Sequence, residues 1–271
     1  MRIASLCPSN TELLAFVGLA DRIVGVDKYS DWPQTLNNVP RLGSDMDIDM
    51  DALEALRPDL VVASLSVPGM ERNIERLEER KLPYIVLDPN SLADIGSNML
   101  TVGAATDTLA HATAARERYE HMLDQYREIS RAVTERPRLY WEWWPKPVFT
   151  PGGANWLTEI SELAGAVNVF ADDERASVQT DWEDVVGRDP DYILLAWVGI
   201  QQHLVKPNTV SSRLGGSELR AVRDSNVLVM EEPLYCRPSP RLVAGLSKLA
   251  AALHPDHYPA YDEAKLEEWL A

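Results

Sequence analysis

The chain has 271 residues, 45% apolar and 25% charged, enough to bury one large core or two modest ones. Its formal net charge of −16 argues against nucleic acid and anionic lipid surfaces as partners, and it contains no apolar run of about 18 residues that could cross a membrane. The cysteines, Cys7 and Cys236, form no CxxC and no Cys/His pair at zinc-ligand spacing, so free thiols are expected, with a disulfide between the two left open.

In chain order, residues 2–6 read as a short buried strand. Nothing before them has a basic start, an apolar stretch and a small-residue cleavage site, so no signal peptide is expected. The resulting expectation is a cytoplasmic protein as written, or a periplasmic or cell-surface one if the natural chain starts earlier. Residues 11–18 have helical spacing, with Ser9 or Asn10 as N-cap and Gly18 near the C-cap. Strands are expected over 22–26, 60–63 and 83–87, and helices over 47–56 and 70–81. The uninterrupted apolar run at 60–63 suits a parallel sheet covered on both faces. This alternation specifies an α/β lobe over residues 1–106.

From 108 to 133 there is neither Gly nor Pro, and Leu109, Ala112, Ala115, Tyr119, Met122, Tyr126 and Ile129 form an apolar stripe at helical spacing. A backbone helix over 107–136 is expected, a rod of roughly 38 Å at 1.5 Å per residue. A break near Asp107, giving two helices, is the open alternative. The remainder, 137–271, repeats the α/β order: strands over 139–144, 167–170, 192–197 and 227–230, and helices over 156–164, up to 187, and over 239–253. The phrase Leu53-Glu-Ala-Leu-Arg-Pro-Asp-Leu-Val-Val-Ala-Ser64 recurs as Trp182-Glu-Asp-Val-Val-Gly-Arg-Asp-Pro-Asp-Tyr-Ile-Leu-Leu-Ala-Trp197, each a helix end, a Pro-Asp turn and an apolar strand. Two copies of one unit predict two Rossmann-like lobes and a small-molecule cleft between them.

No Gly-x-Ser-x-Gly, GxxxxGK[ST], GxGxxG or HExxH motif occurs, and His111, His121, His203, His254 and His257 do not cluster. The chain therefore reads as a binder rather than an enzyme. Aromatic residues are more informative. Tyr140-Trp-Glu-Trp-Trp144 loads one strand with large rings, Phe149 and Trp156 follow, and Trp197 ends its strand. Tyr29 and Trp32 lie just past the strand ending at Val26, and Tyr235 past the one ending near Met230. Strand carboxyl ends are where open α/β sheets collect ligands, and rings there suit a broad, flat, mostly uncharged one.

Several segments closely resemble the cobalamin-binding substrate-binding proteins of ABC importers. They are Cys7-Pro-Ser-Asn-Thr-Glu-Leu-Leu-Ala-Phe-Val-Gly-Leu19, Val24-Gly-Val-Asp-Lys-Tyr-Ser-Asp-Trp-Pro33, Leu53-Glu-Ala-Leu-Arg-Pro-Asp-Leu-Val61, Phe149-Thr-Pro-Gly-Gly153, Glu183-Asp-Val-Val-Gly-Arg-Asp-Pro-Asp-Tyr-Ile-Leu194 and Pro238-Ser-Pro-Arg241. The resemblance, which runs from residue 2 to about 253, implies two α/β lobes with parallel sheets joined by a single long helix. It also implies a cobalamin or other corrinoid ligand with no intrinsic cofactor or metal. By position it assigns ligand contacts to Ser9 and Tyr29 in the first lobe, Trp143 and Phe149 in the second, and Arg237 near the rim. Trp197 and Tyr235 are added from strand-end placement. The family docks an ABC permease through an acidic residue on each lobe, here Asp51 and Glu183; as exposed helix residues both also fit a solvated surface. A monomer without membrane insertion is expected.

The chain departs from the family's transporter members, which carry tryptophans in the first lobe where it has Asp45 and Ser64. The rival expectations are a ferric siderophore, which would need basic residues such as Arg237 and Lys28, or haem, with Tyr29 or Tyr235 as axial ligand. A third is an intracellular corrinoid carrier or enzyme accessory protein.

Overall fold

Strand β1 (Ile3–Ser5) is buried throughout. The helix that follows it, α1 (Pro8–Phe16), opens on a proline, whose missing N–H costs nothing in the first turn, and is also buried along its whole length. The computed structural model describes residues 1–270. It divides into Met1–His121 with the C-terminal segment from Lys265, and Met122–Ala264.

The first lobe continues with β2 (Ile23–Val26), the hairpin β3 (Gly43–Ser44) and β4 (Asp47–Ile48), α2 (Met50–Ala55), β5 (Leu60–Ser64), α3 (Glu71–Glu79), β6 (Tyr84–Leu87) and α4 (Leu92–Ala105). Its sheet has the order β2-β1-β5-β6 and is parallel throughout. As the apolar run predicts, every residue of β5 is buried. The helix expected over 47–56 starts later. Asp47 and Ile48 pair instead with Gly43 and Ser44, with Gly43 in a left-handed turn at φ 93°. Asp49 then caps α2, its Oδ1 accepting from the backbone N–H of Asp51 (3.1 Å) and Ala52 (3.0 Å). Leu6, Ile48, Met50, Leu53, Val61 and Leu77 pack into one core cluster.

The rod is separate from α4, as the open alternative had it. Asp107 takes φ 56°, and the chain re-enters helix as α5 (Leu109–Ala132). Gly103 makes the corner possible, because a Cβ there would lie 2.4 Å from the Cβ of Ala112. Helix α5 has 24 residues, about 36 Å, and runs from the first unit into the second. Ala112, Ala115, Tyr119, Leu123 and Tyr126 form its buried stripe.

The second lobe comprises β7 (Arg138–Glu142), β8 (Trp144–Pro145), β9 (Val148–Pro151), α6 (Trp156–Leu163), β10 (Val167–Asn168), β11 (Ser177–Thr180), α7 (Trp182–Arg188) and β12 (Tyr192–Leu195). After these come α8 (Asn208–Ser211), α9 (Arg220–Arg223), β13 (Val227–Val229), α10 (Glu232–Tyr235) and α11 (Leu242–Leu253). Its parallel sheet, β10-β7-β12-β13, reproduces the order of the first. The repeated phrase is α2 to β5 in one lobe and α7 to β12 in the other, and both strands stand third in their sheets. The strand expected over 139–144 stops at Glu142. Pro145 and Pro147 cannot continue a parallel ladder, and the chain folds into a small antiparallel sheet, β11-β9-β8.

Sequence alone groups 137–271 together, but the last helix, α12 (Glu263–Leu270), packs on the first lobe. The Trp269 ring lies 5.1 Å from Phe16, the Arg118 guanidinium covers Phe16 at 4.3 Å, and Trp32 Nε1 donates to Glu267 at 3.0 Å. Among the described residues no helix is long and apolar enough to cross a membrane, and no group of three or more His, Cys, Asp or Glu is placed to hold a metal ion.

Candidate functional site

At the strand ends of the first lobe a hydroxyl network fixes the backbone. The hydroxyl of Thr11 on α1 lies 2.8 Å from both Ser5 Oγ and Ser30 Oγ and donates its one proton to either. Ser30 donates in turn to Asp27 Oδ1, and Asp27 Oδ2 accepts from the backbone N–H of Tyr29 at 2.6 Å. Asp27 is buried, so its carboxylate locks the turn after β2 from inside. That turn presents Tyr29, 45% exposed, with Lys28 Nζ 5.0 Å from its ring centroid. Ser9 is buried, with its Oγ 3.1 Å from Cys7 Sγ. Burial pushes the Cys7 thiol up to about 11. Cys7 and Cys236 are both free. Ser64 lies buried at the end of β5, its Oγ hydrogen-bonded to Ser66 Oγ at 2.8 Å.

In the second lobe the rings divide. Trp141 and Tyr140 are core residues: Trp141 donates to Ser161 Oγ (2.9 Å) and stacks at a tilt on Tyr235, while Tyr140 faces Phe170 and Trp182. Trp143 is half-buried, 5.8 Å from Trp156, and its backbone N–H donates to Phe149 O at 2.9 Å. Its indole Nε1 is buried without an acceptor. Phe149, half-buried on β9, pairs in register with Trp144.

Glu142 closes β7. It is 0% exposed and accepts from Tyr140 Oη (3.0 Å), Trp197 Nε1 (3.0 Å) and both terminal nitrogens of Arg213. Burial alone would depress the Arg213 guanidinium, but the Glu142 contacts more than offset this and hold it above its ordinary value. Arg213 also covers the Trp182 ring at 4.5 Å.

Of the residues singled out in the sequence, the structure groups Trp143 with Phe149, and Trp197 with Glu142, at the end of the second sheet. Tyr235 is a correction: it is 1% exposed, with its hydroxyl donating to Gly245 O at 2.9 Å, so it fills the core and cannot serve as an axial ligand. Arg237 is nearly buried and is held by Glu232, with Nη2 to Oε2 at 3.0 Å. Asp51 and Glu183 are exposed, each the second residue of its helix, α2 and α7 respectively. Asp51 pairs with Arg80 at 2.6 Å. Sequence reading missed Glu142 as a site residue, although a lone carboxylate inside an aromatic strand was a signal for a buried partner. Arg213, 71 positions away, gave no signal.

A cavity of about 480 Å³ opens at the opposite end of the second sheet, beside Arg136, Asp191 and His254. Three of its polar groups are engaged within the lobe: Arg136 with Ser130 O (2.6 Å), Asp191 with Arg138 N (2.8 Å) and His254 Nε2 with Gly165 O (3.1 Å). Trp143 and Trp197 lie at the other end of this sheet, just past β7 and β12.

A family model described as periplasmic binding protein matches residues 3–234. The chain belongs to the periplasmic binding protein family. Its helical backbone, α5, puts it in the class of that family with a single long connecting helix. A vitamin B12-binding protein of Vibrio cholerae is 28% identical over 258 residues, spanning 93% of this chain and 88% of its own. An uncharacterized ABC transporter substrate-binding lipoprotein of Bacillus subtilis is 28% identical over 262 residues, 95% of this chain and 81% of its own. Among solved structures, the periplasmic vitamin B12-binding protein BtuF of V. cholerae superposes with a TM-score of 0.72 at 25% identity, covering 94% of this chain and 96% of that one. A periplasmic heme-binding protein of Pseudomonas aeruginosa shares the fold, with a TM-score of 0.81 at 24% identity and coverage of 95% and 94%. Membership of this family, and likeness to periplasmic proteins across nearly the whole chain, overturn the cytoplasmic expectation, which rested only on how the chain begins.

Proposed function

We propose that this periplasmic binding protein family member is a non-enzymatic binder of a corrinoid, cobalamin or a close analogue, held by residues at strand ends. Trp143, Phe149 and Trp197 of the second lobe and Tyr29 of the first supply ring contacts, with Ser9 behind them and Arg237 at the rim. The observation that carries the reading is the charge state of the second-lobe strand ends. The guanidinium groups of Arg213 and Arg237 are each taken up by a carboxylate, Glu142 and Glu232, so rings rather than cations dominate that surface. A corrin framework with neutral amide side chains suits such a surface. The carboxylates of haem and of many ferric siderophores call for cations not already paired. Relatives named as vitamin B12-binding proteins support the same choice. The indole N–H of Trp143, buried without an acceptor among the described residues, is a further sign, since such a donor calls for a partner.

Haem is the second reading. It is favoured by the exposed phenol of Tyr29 and by solved heme-binding proteins of the same fold. Titration of the purified chain with cyanocobalamin and with haemin, followed by tryptophan fluorescence and visible absorbance, separates the two. The expected result is saturable quenching by cyanocobalamin with Kd of about 1 μM or tighter. A Soret shift with haemin and no response to cyanocobalamin would replace the corrinoid with haem. No response to either from the folded protein would overturn the binding reading.

We also propose that an ABC permease is the partner, docked through Asp51 and Glu183. Their equivalent places in the two copies of the repeat support this, since a two-fold partner meets two like sites.

A further inference from the structure

The buried carboxylate of Glu142 does more than neutralise Arg213, because it gathers donors from three side chains. Its two oxygens accept from a phenol, an indole and a two-pronged guanidinium. The donors come from three separate stretches: Tyr140 on β7, Trp197 just beyond β12, and Arg213 in the loop after α8. A buried carboxylate with so many charge-assisted and neutral bonds is rigid, because each partner removed leaves desolvated charge behind. Trp197 packs one part of its ring on the core cluster of the lobe and is otherwise half-exposed. Its indole Nε1 donates to Glu142 Oε1 at 3.0 Å. The main chain on either side is tied to the end of β7, Ala196 N to Glu142 O at 3.0 Å and Val198 N to Trp143 O at 3.3 Å, which places the Trp197 backbone but leaves the turn of its half-exposed ring to the side-chain bond.

We infer that Glu142 is a positioning residue for ligand recognition: it sets the orientation of the Trp197 indole, and Arg213, bound to both of its oxygens, holds the carboxylate in place. The inference rests on the corrinoid-binding reading only for what the indole then touches. The tether itself is independent of the ligand. Glu142 acts through Trp197, so its loss changes how tightly the ring surface holds a ligand without removing a contact of its own.

The test uses the full chain and a ligand-free readout. In protein labelled with ¹⁵N at the indole nitrogens, the Trp197 resonance is identified by its absence in Trp197→Phe. It is expected to exchange slowly with deuterium oxide in the native chain, and to shift and exchange faster in Glu142→Gln. An unchanged position and exchange rate in Glu142→Gln would overturn the inference. In cyanocobalamin titrations, Glu142→Gln and Trp197→Phe are each expected to weaken binding about tenfold, and the double variant no more than the weaker-binding single. Losses that multiply in the double variant, or wild-type affinity in a Glu142→Gln protein that is folded by circular dichroism, would also overturn it. Failure of the unmodified chain to bind cyanocobalamin or haemin would remove the function reading, while the indole measurement would still decide the tether.

Discussion

At the scale of single residues, burial decides what a side chain contributes, and two cases make that measurable. Tyr235 follows a strand end, where ligand contacts gather, yet its ring rests on Trp141 and its hydroxyl serves Gly245 O inside the lobe. Tyr235→Phe is therefore expected to cost about 1 kcal/mol of stability, the loss of one buried hydrogen bond, and to leave cyanocobalamin affinity unchanged. Denaturant unfolding and the fluorescence titration check the two halves separately, and a severalfold loss of affinity would put Tyr235 back among the ligand contacts. Cys7 is the second case. Burial raises its thiol to about 11, with Asp27 adding to the effect and the Ser9 hydrogen bond opposing it. At pH 8 the thiolate fraction is then about one in a thousand, so labelling by a disulfide reagent should be far slower than in the urea-unfolded chain. The stability consequence has a definite sign. A thiol whose folded value exceeds its unfolded value of 9.0 contributes fully below pH 9, and the contribution fades as pH rises towards 11. Cys7→Ser should flatten that alkaline decline, and an unchanged profile between pH 9 and 11 would remove Cys7 as its source.

At the scale of elements, the parts that follow from local pattern were legible and the parts that depend on distant partners were not. The strand 60–63 could be read because an unbroken apolar run has few other fates, and α5 because 26 residues without Gly or Pro carry a stripe at helical spacing. The β8-β9-β11 sheet was missed because its pairing joins β9 to β11 across α6 and β10, a contact that no local window holds. Tyr235 was misplaced for a related reason: it lies one short helix past its strand, and α10 turns the ring inward onto Trp141. Glu142 was visible as an anomaly, but its meaning waited on Arg213, whose loop position carries no periodicity. The corner between α4 and α5 offers a test at this scale. Gly103 sits where a Cβ would meet Ala112 Cβ at 2.4 Å and Leu109 Cα at 3.1 Å, and the second of these is backbone that cannot swing aside. Gly103→Ala should destabilise the chain by about 1–3 kcal/mol, read as a lower denaturation midpoint with an unchanged slope. A stabilised variant would mean that the helix-propensity gain outweighs the clash, and that the corner is looser than its geometry implies.

At the scale of the whole molecule, the net charge of −16 and the two-copy architecture bear on the same question, how the chain meets a partner. A strongly acidic protein is repelled by anionic lipid headgroups, so approach to a membrane permease must be driven by basic groups on the permease itself. The internal repeat supplies two acidic residues at one address, the second residue of α2 and of α7, behind the N-caps Asp49 and Asp181. Their settings differ, and the difference sets the prediction. Asp51 already holds Arg80 at 2.6 Å, but the pair is exposed and screened by solvent, so exchanging Arg80 for an incoming cation costs little. Neutralising either residue, as Asp51→Asn or Glu183→Gln, should weaken association with a permease severalfold. The double variant should lose it in proportion to the product of the two, because the positions lie in separate lobes and share no partner among those described. The same association should weaken steeply between low and physiological salt, as expected of exposed charges acting over a Debye length of about 8 Å. Cyanocobalamin affinity should be unmoved in all three variants, since neither carboxylate is among the proposed ligand contacts. Binding to permease-containing nanodiscs, measured at two salt concentrations alongside the ligand titration, checks each part. Full association by the double variant would return Asp51 and Glu183 to ordinary solvated surface, and a parallel loss of ligand affinity would show that the substitutions disturb the lobes rather than the docking face.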